Sequence, residues 1–449
     1  MRPIRPIGRA WPSKSWSLNR LSYIIQKQPG ATRFAIVLAV LFYLVLPVRA
    51  QEGVFADRVF SKSIRSVEFF NSAKEQSLPL MTLNSSETLS LRFDDLSQEP
   101  HSYAYTFEHC DMNWKSSGLS PIDYLDGFTE DRINDYTVSL NTLQGYMHYS
   151  LTLPGQNMKP KIDGNYVLKI YEEGYPEKII LTRRFYVLNP LVTLKPEVVT
   201  STQIANRKNH QKINITVEHL QLAIPNPYTD VKLVLRQNGR PDTEQTLERP
   251  NQIRSGQLVY NDPRSLEFSG SNEFRKFDFR TLRLQSERVG QIYKDSVNTV
   301  QLLADQPYAA SNYSHSFDEN GNFFIRNQDG REPATDADYA YVTFTLETPR
   351  PQGTGDVYIV GKFNDYRLNE ENKMIYDASR SRFYGSVYLK QGLYDYQYVC
   401  ADKNNPQKIN HTLFEGSFFE TKNKYQVFFY YRRPGSRWDQ LLGFQEFNN

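Results

Sequence analysis

Tyr103-Ala104-Tyr105-Thr106-Phe107-Glu108 is the stretch that decides the fold. Successive side chains of a strand point to opposite faces, so the three rings share one face and Ala104, Thr106 and Glu108 the other. The pattern returns at Leu89-Ser90-Leu91-Arg92-Phe93-Asp94, at Ile213-Asn214-Ile215-Thr216-Val217-Glu218 and at Tyr394-Asp395-Tyr396-Gln397-Tyr398. One apolar face and one wet face is the pattern of antiparallel sheets. Turn signals punctuate it: Asp163-Gly164 ahead of 166–171, Asn238-Gly239 after 231–236, and Asn320-Gly321 between Phe317 and Phe323. Helical periodicity never lasts beyond two or three turns, and the best short candidates are 121–125 and 437–444. The chain is expected to be all-β.

The length, 449 residues, is too great for one sandwich, and strands recurring roughly every 8–12 residues imply several. With 30 Tyr, 27 Phe and 4 Trp the chain is rich in residues that suit pleated, half-buried surfaces. The expected division is a leader at 1–50, an N-terminal β-sandwich at 51–190, a middle β-rich domain at 191–335 and a C-terminal immunoglobulin-like sandwich at 336–449. Pro190, the Pro-rich stretch 224–228, and Pro333, Pro349 and Pro351 with Gly353 and Gly355 mark the loops and linkers.

The first 50 residues hold eight Lys/Arg and no acid. The formal net charge of +3 is therefore −5 beyond residue 50, and the basic balance belongs to the leader. A mildly acidic body without a basic cluster argues against nucleic acid as a partner. Residues 34–46 form an apolar run that would span only about 20 Å as a helix, against a bilayer core of about 30 Å. Pro47 breaks it, and Val48 and Ala50 are small enough to precede a signal-peptidase cut. Cleavage is expected between Ala50 and Gln51, leaving an exported chain with no membrane span. Cys110 and Cys400 lie at opposite ends of the mature chain, and free buried thiols are favoured over a bridge.

A search for catalytic motifs comes up empty: the sequence has no Gly-x-Ser-x-Gly elbow, no His-Glu-x-x-His and no Cys-x-x-Cys. Gly353-Thr354-Gly355 precedes a strand instead of opening a helix, which makes it a turn and not a phosphate loop. His109, Cys110 and Asp111 could suggest a Cys/His nucleophile, but neighbours on a strand face apart, so a turn-and-core cluster is favoured. Asp318-Glu319-Asn320-Gly321-Asn322 resembles the start of a calcium loop, but its Gly falls at the fourth position and Asp329 stands at the twelfth. It reads better as a hairpin turn. The seven histidines have no ligand spacing. No metal, cofactor or catalytic residue is expected, and the protein is read as not an enzyme.

In the last domain, a strand around Val357-Tyr358-Ile359-Val360 leads into Gly361-Lys362-Phe363-Asn364, and Gly392-Leu393-Tyr394-Asp395-Tyr396 follows. This is similar to the immunoglobulin-like modules attached to starch- and glycogen-active enzymes. There an exposed Trp that stacks on glucose usually follows the Phe-Asn pair, and here Tyr366 holds its place. Phe363 and Tyr366 are thus the candidate binding residues of a glycan-binding alternative, which requires several exposed coplanar aromatics around them.

Six segments together resemble one family. They are Phe93-Asp94-Asp95-Leu96, Glu108-His109-Cys110-Asp111-Met112-Asn113-Trp114, Leu181-Thr182-Arg183-Arg184-Phe185-Tyr186-Val187, Asn272-Glu273-Phe274-Arg275-Lys276-Phe277-Asp278, Gly361-Lys362-Phe363-Asn364 and Tyr430-Tyr431-Arg432-Arg433. Their order and spacing resemble the type IX secretion system plug proteins. The resemblance implies tandem immunoglobulin-like or fibronectin-like β-sandwiches in a periplasmic, outer-membrane-associated protein. It also implies a partner, the large outer-membrane β-barrel translocon of the type IX system, whose periplasmic opening the protein would close when no client is passing. A hydrolase with a site assembled from distant residues is the third reading. Convergent ionisable groups in one deep pocket would mark it.

Overall fold

A computed structural model describes residues 53–97, 99–405 and 408–449. The leader and its expected cleavage point lie outside the described residues. Residues Phe55–Asn449 form one compact unit, built almost wholly from antiparallel strands paired into three sandwiches.

The first sandwich faces the sheet of Tyr103–Cys110, Gly164–Glu172 and Ile179–Leu188 against the sheet of Ile64–Asn71, Leu89–Asp95, Met147–Leu153 and Asp135–Val138. Its core is the expected apolar face of each strand, with Leu89, Leu91 and Phe93 against Tyr103, Tyr105 and Phe107. Gly164, at φ +127°, begins a strand where a Cβ would sit 2.6 Å from the His109 ring, so the chain there must be glycine. Of the short helical candidates, Pro121–Tyr124 is a single helical turn. The second, at 437–444, is instead part of the strand Gln440–Asn448. Its apolar residues pair with Lys424–Tyr431 across a ladder, and long-range pairing overrides the local periodicity.

In the second sandwich, Thr193–Thr200, His210–Glu218 and Gln257–Tyr260 face Gln245–Leu247, Val231–Gln237, Lys424–Tyr431 and Gln440–Asn448. In the third, Arg275–Asp278, Phe323–Ile325, Thr354–Val360 and Gly392–Asp402 face Val289–Lys294, Asn298–Leu302, Tyr339–Glu347 and Arg382–Lys390. Strand pairing therefore crosses the expected boundary at 335/336 in both directions. Strands from Arg275 onward join the third sandwich, and Lys424–Tyr431 returns to pair with Val231–Gln237. The third sandwich is inserted into the second. Alternation marks a strand but not its partner, so the sequence reading grouped neighbours in the chain. The expected hairpin at Asn320-Gly321 differs for the same reason: Phe323–Ile325 pairs with Gly392–Asp402. Asn320 and Gly321 do form a turn with positive φ.

Each sandwich also packs on the other two, so several faces expected to be wet are buried. The outer faces of the first and second meet through an apolar cluster including Trp114, Tyr186, Phe428 and Tyr430, with Tyr186 and Phe428 stacked 4.8 Å apart. First and third meet at a polar contact. Lys390 Nζ lies 2.6 Å from Asp94, which also accepts from Tyr339 (2.7 Å) and pairs with His148 (2.7 Å). Second and third meet where Arg240 donates to Gln397 (3.0 Å) and His411 pairs with Asp242 (2.8 Å). Asp94 and Gln397, both read from alternation as wet, are buried at these junctions, and Asp395, read the same way, is buried beneath the turn at 318–322 of its own sandwich. Burying a charge is tolerated only when it is paired, and each junction supplies the partner.

Candidate functional site

The residues singled out by sequence fall into three environments. His109 is fully buried in the first sandwich, its Nε2 3.2 Å from the Asp163 carbonyl, and burial pushes its imidazole down to about 4. Burial likewise raises the Cys110 thiol far above its ordinary range. Asp111 caps its own turn, accepting the N–H groups of Asn113 (2.9 Å) and Lys115 (2.8 Å). The three side chains perform separate structural tasks, and a buried neutral thiol is no nucleophile. Cys110 and Cys400 are both free and buried.

Asp318 spends its carboxylate on the N–H groups of Phe274 and Asn320. Asp395 accepts from Glu319 (2.6 Å) and Gly321 (3.1 Å), fastening the same turn to the third sandwich. Burial, with the nearby Glu273 and Glu319 carboxylates, raises Asp318 to about 6, and burial, with the nearby Asp318, raises Asp395 to about 8. Among the described residues no group of three or more His, Cys, Asp or Glu side chains could hold a metal ion. A second ionic cluster, Arg275 with Glu415 (2.9 Å) and Asp305 (3.1 Å), is closed inside the third sandwich, where Tyr396 and Tyr398 donate to Asp305. Its hydrogen bonds tie strand to strand.

Phe363 and Tyr366 do not present a stacking platform. Tyr366 is 9 % exposed, packed with Phe274, Val360 and Val399 and covered by the Arg240 guanidinium 5.2 Å from its ring. Phe363 is half-buried, edge-on to Tyr394. The exposed ring expected after Phe363-Asn364 is instead covered by the second sandwich.

Two features escaped the sequence reading. One is an outer surface carrying exposed Tyr136, Val138, Leu140 and Leu143, continuing to exposed Tyr341, Tyr384 and Ile375 on the third sandwich. Leu143 N–H donates to Asp338 (2.7 Å), and Tyr388, which donates to Gln144 (3.2 Å), packs 4.6 Å from Tyr341. Alternation at 136, 138 and 140 was a usable signal, but it cannot tell an apolar face that is covered from one left open. A run of exposed rings and aliphatics of this kind marks a surface for association. The other is a cavity of about 230 Å³ between the three sandwiches, lined by side chains of all of them.

Fold and junctions together define a multi-sandwich all-β protein held as one body. Residues 64–189, the first sandwich, match the model of the type 9 secretion system plug protein 1st domain, and the chain belongs to that family. A crystal structure of a hypothetical protein from Parabacteroides merdae ATCC 43184 is 31 % identical and superposes with a TM-score of 0.84, over 88 % of this chain and 99 % of that one. No functionally curated protein matches. Membership implies a role in type IX secretion, association with its translocon and a periplasmic or outer-membrane-associated location. Among the described residues no helix is long and apolar enough to cross a membrane.

Proposed function

We propose that the protein is a non-enzymatic periplasmic plug, which binds the periplasmic opening of the type IX outer-membrane translocon and keeps its pore closed when no client is being exported. The observation that carries this reading is the match of the first sandwich to the plug family, set in a body whose three sandwiches lock one another in place. A plug has to hold its shape against a wide opening, and three sandwiches joined by apolar and ion-paired contacts resist the hinge motion that loosely linked domains allow. It also needs broad contact area, which the open face around Tyr136, Tyr341 and Tyr384 supplies at low side-chain entropy cost. Plug and client compete for the same opening, so the plug prefers the client-free translocon, and only that difference in affinity can shift the equilibrium.

The test is solute entry. Cells lacking the protein become permeable to large hydrophilic solutes that the parent excludes, while the translocon remains at its normal level. Unchanged permeability under that condition refutes the sealing role. Tyr136→Lys with Tyr341→Lys, on a chain that still melts cooperatively, reduces co-purification with the translocon. Undiminished co-purification moves the contact elsewhere on the surface.

A further inference from the structure

The cavity where the three sandwiches meet has an unbalanced lining. Of its cations, Arg183 pairs with Asp365 (3.3 Å), Arg236 with Glu244 (2.6 Å) and Lys424 with Glu446 (3.6 Å). Arg184, Lys362 and Arg367 form no ion pair among the described residues; Arg184 Nε and Arg367 donate to the carbonyls of Phe55 and Asp57. Two carboxyls remain to offset these three cations. One is Asp57, which stays ionised against the cost of burial because Arg183, Lys362 and Arg184 surround it. The other is Glu68, which burial, with the nearby Glu75 carboxylate, raises to about 7, so it is only partly charged at neutral pH. The lining is therefore net positive.

A second observation is independent of charge. Arg236 and Gln426 stand opposite each other on paired strands, 6 % and 4 % exposed, and both line the cavity. Among the described residues, Arg236 Nε–H and Gln426 Oε1 make no hydrogen bond. Buried polar atoms are nearly always paired, and leaving one unpaired costs on the order of 1–3 kcal/mol. An unpaired donor and an unpaired acceptor on paired residues of the cavity wall suit a group that both accepts and donates, such as a hydroxyl or an amide.

We propose that this junction is a binding site for a small oxyanion, a carboxylate or phosphate carried next to a hydroxyl or amide group. The anion lies against Lys362, Arg367 and Arg184, and the neighbouring hydroxyl or amide bridges Arg236 Nε–H and Gln426 Oε1. Charge-assisted hydrogen bonds at a junction between packed units are well suited to such a ligand. Because all three sandwiches line the cavity, a bound anion staples them together.

The experiment is titration calorimetry at low salt on the chain beginning at Gln51, with citrate, glucose 6-phosphate and the dipeptide Asp-Ala as probes, and glucose and inorganic phosphate as controls. At least one probe binds at a single site with Kd of about 1 mM or tighter and raises the melting temperature, and both Lys362→Met and Gln426→Leu weaken it about tenfold. Whether citrate and Asp-Ala or glucose 6-phosphate binds separates carboxylate from phosphate. The Lys362 side chain makes no hydrogen bond or ion pair among the described residues, and a cooperative melt of Lys362→Met, run beside the titration, checks that the fold survives the loss of one of the three cations around Asp57. No binding by any probe at about 10 mM overturns the proposal. So does binding that inorganic phosphate matches and Gln426→Leu leaves unchanged, which would reflect charge alone. Loss of the site leaves the plug reading standing, because solute entry tests that separately.

Discussion

Lys390→Met removes the cation from the contact between the first and third sandwiches. Met keeps most of the length of the Lys stem, so packing against the Tyr146 ring, now 4.1 Å from Nζ, is largely conserved. What is lost is the charge opposite Asp94, which is fully buried and which Lys390, the strongest of its partners, holds ionised against the cost of burial. Breaking a buried ion pair from one side costs about 3–5 kcal/mol, because the other charge is stranded. Asp94 retains Tyr339 and His148, each at 2.7 Å, which places the expected loss near the lower end, about 3 kcal/mol. The Ala334 carbonyl also loses the 2.8 Å hydrogen bond from Lys390. Urea unfolding followed by fluorescence measures the loss, and limited proteolysis shows whether the two sandwiches part first. Adding Asp94→Asn removes the stranded charge, so the double variant recovers about half of the loss. A single-variant loss below about 0.5 kcal/mol, the range of a solvent-exposed pair, refutes the reasoning. So does a double variant no more stable than the single one.

Glu68→Gln stabilises the protein at pH 8. The Glu68 carboxyl titrates near 7 in the fold and at an ordinary 4.5 when unfolded, so its contribution is fully present below 4.5 and is lost as pH rises to 7. The gain, on the order of 3 kcal/mol above pH 7, should vanish by pH 4 in paired melting curves; a gain independent of pH would count against it. Gly321→Ala destabilises, because at φ +84° its Cβ would overlap the Tyr366 hydroxyl and lie 2.8 Å from the Phe274 ring. A drop of more than about 2 kcal/mol in chemical denaturation is expected, and a neutral change would show that the turn yields. Cys110 and Cys400 resist a thiol reagent in the native protein and both react in urea, since each is buried and free; rapid native labelling of either would contradict the packing.

The strands were legible because alternation is a local property. Tyr103, Tyr105 and Phe107 lie in the core as their spacing requires, and so do Ile213, Ile215 and Val217. The partners were not legible. Val231–Gln237 and Lys424–Tyr431 share a ladder, and nothing in either segment names the other. Polar faces misled in a different way. Asp94 and Asp395 alternate with core residues as exposed groups do, yet both are buried, Asp94 against a neighbouring sandwich and Asp395 beneath the turn at 318–322. One charged residue at a junction looks like one on the surface until its partner, 296 positions away in the case of Asp94 and Lys390, is brought beside it. The cavity was invisible for the same reason, since its cations come from segments scattered along the chain. Tyr366 shows the converse: its place after Phe363-Asn364 suggested an exposed ring, and the Arg240 loop covers it.

Insertion of the third sandwich into the second fixes an order of events. Gln237 and Tyr425 meet in the core of the second sandwich although 188 positions separate them. On a chain that emerges N-terminus first, the first sandwich can close as soon as its own strands are out, whereas the second must wait until Lys424–Tyr431 and Gln440–Asn448 arrive. Those two strands also bring Phe428 and Tyr430, the wall on which the first sandwich rests. A chain truncated before them would leave apolar faces of both sandwiches bare to chaperones and proteases.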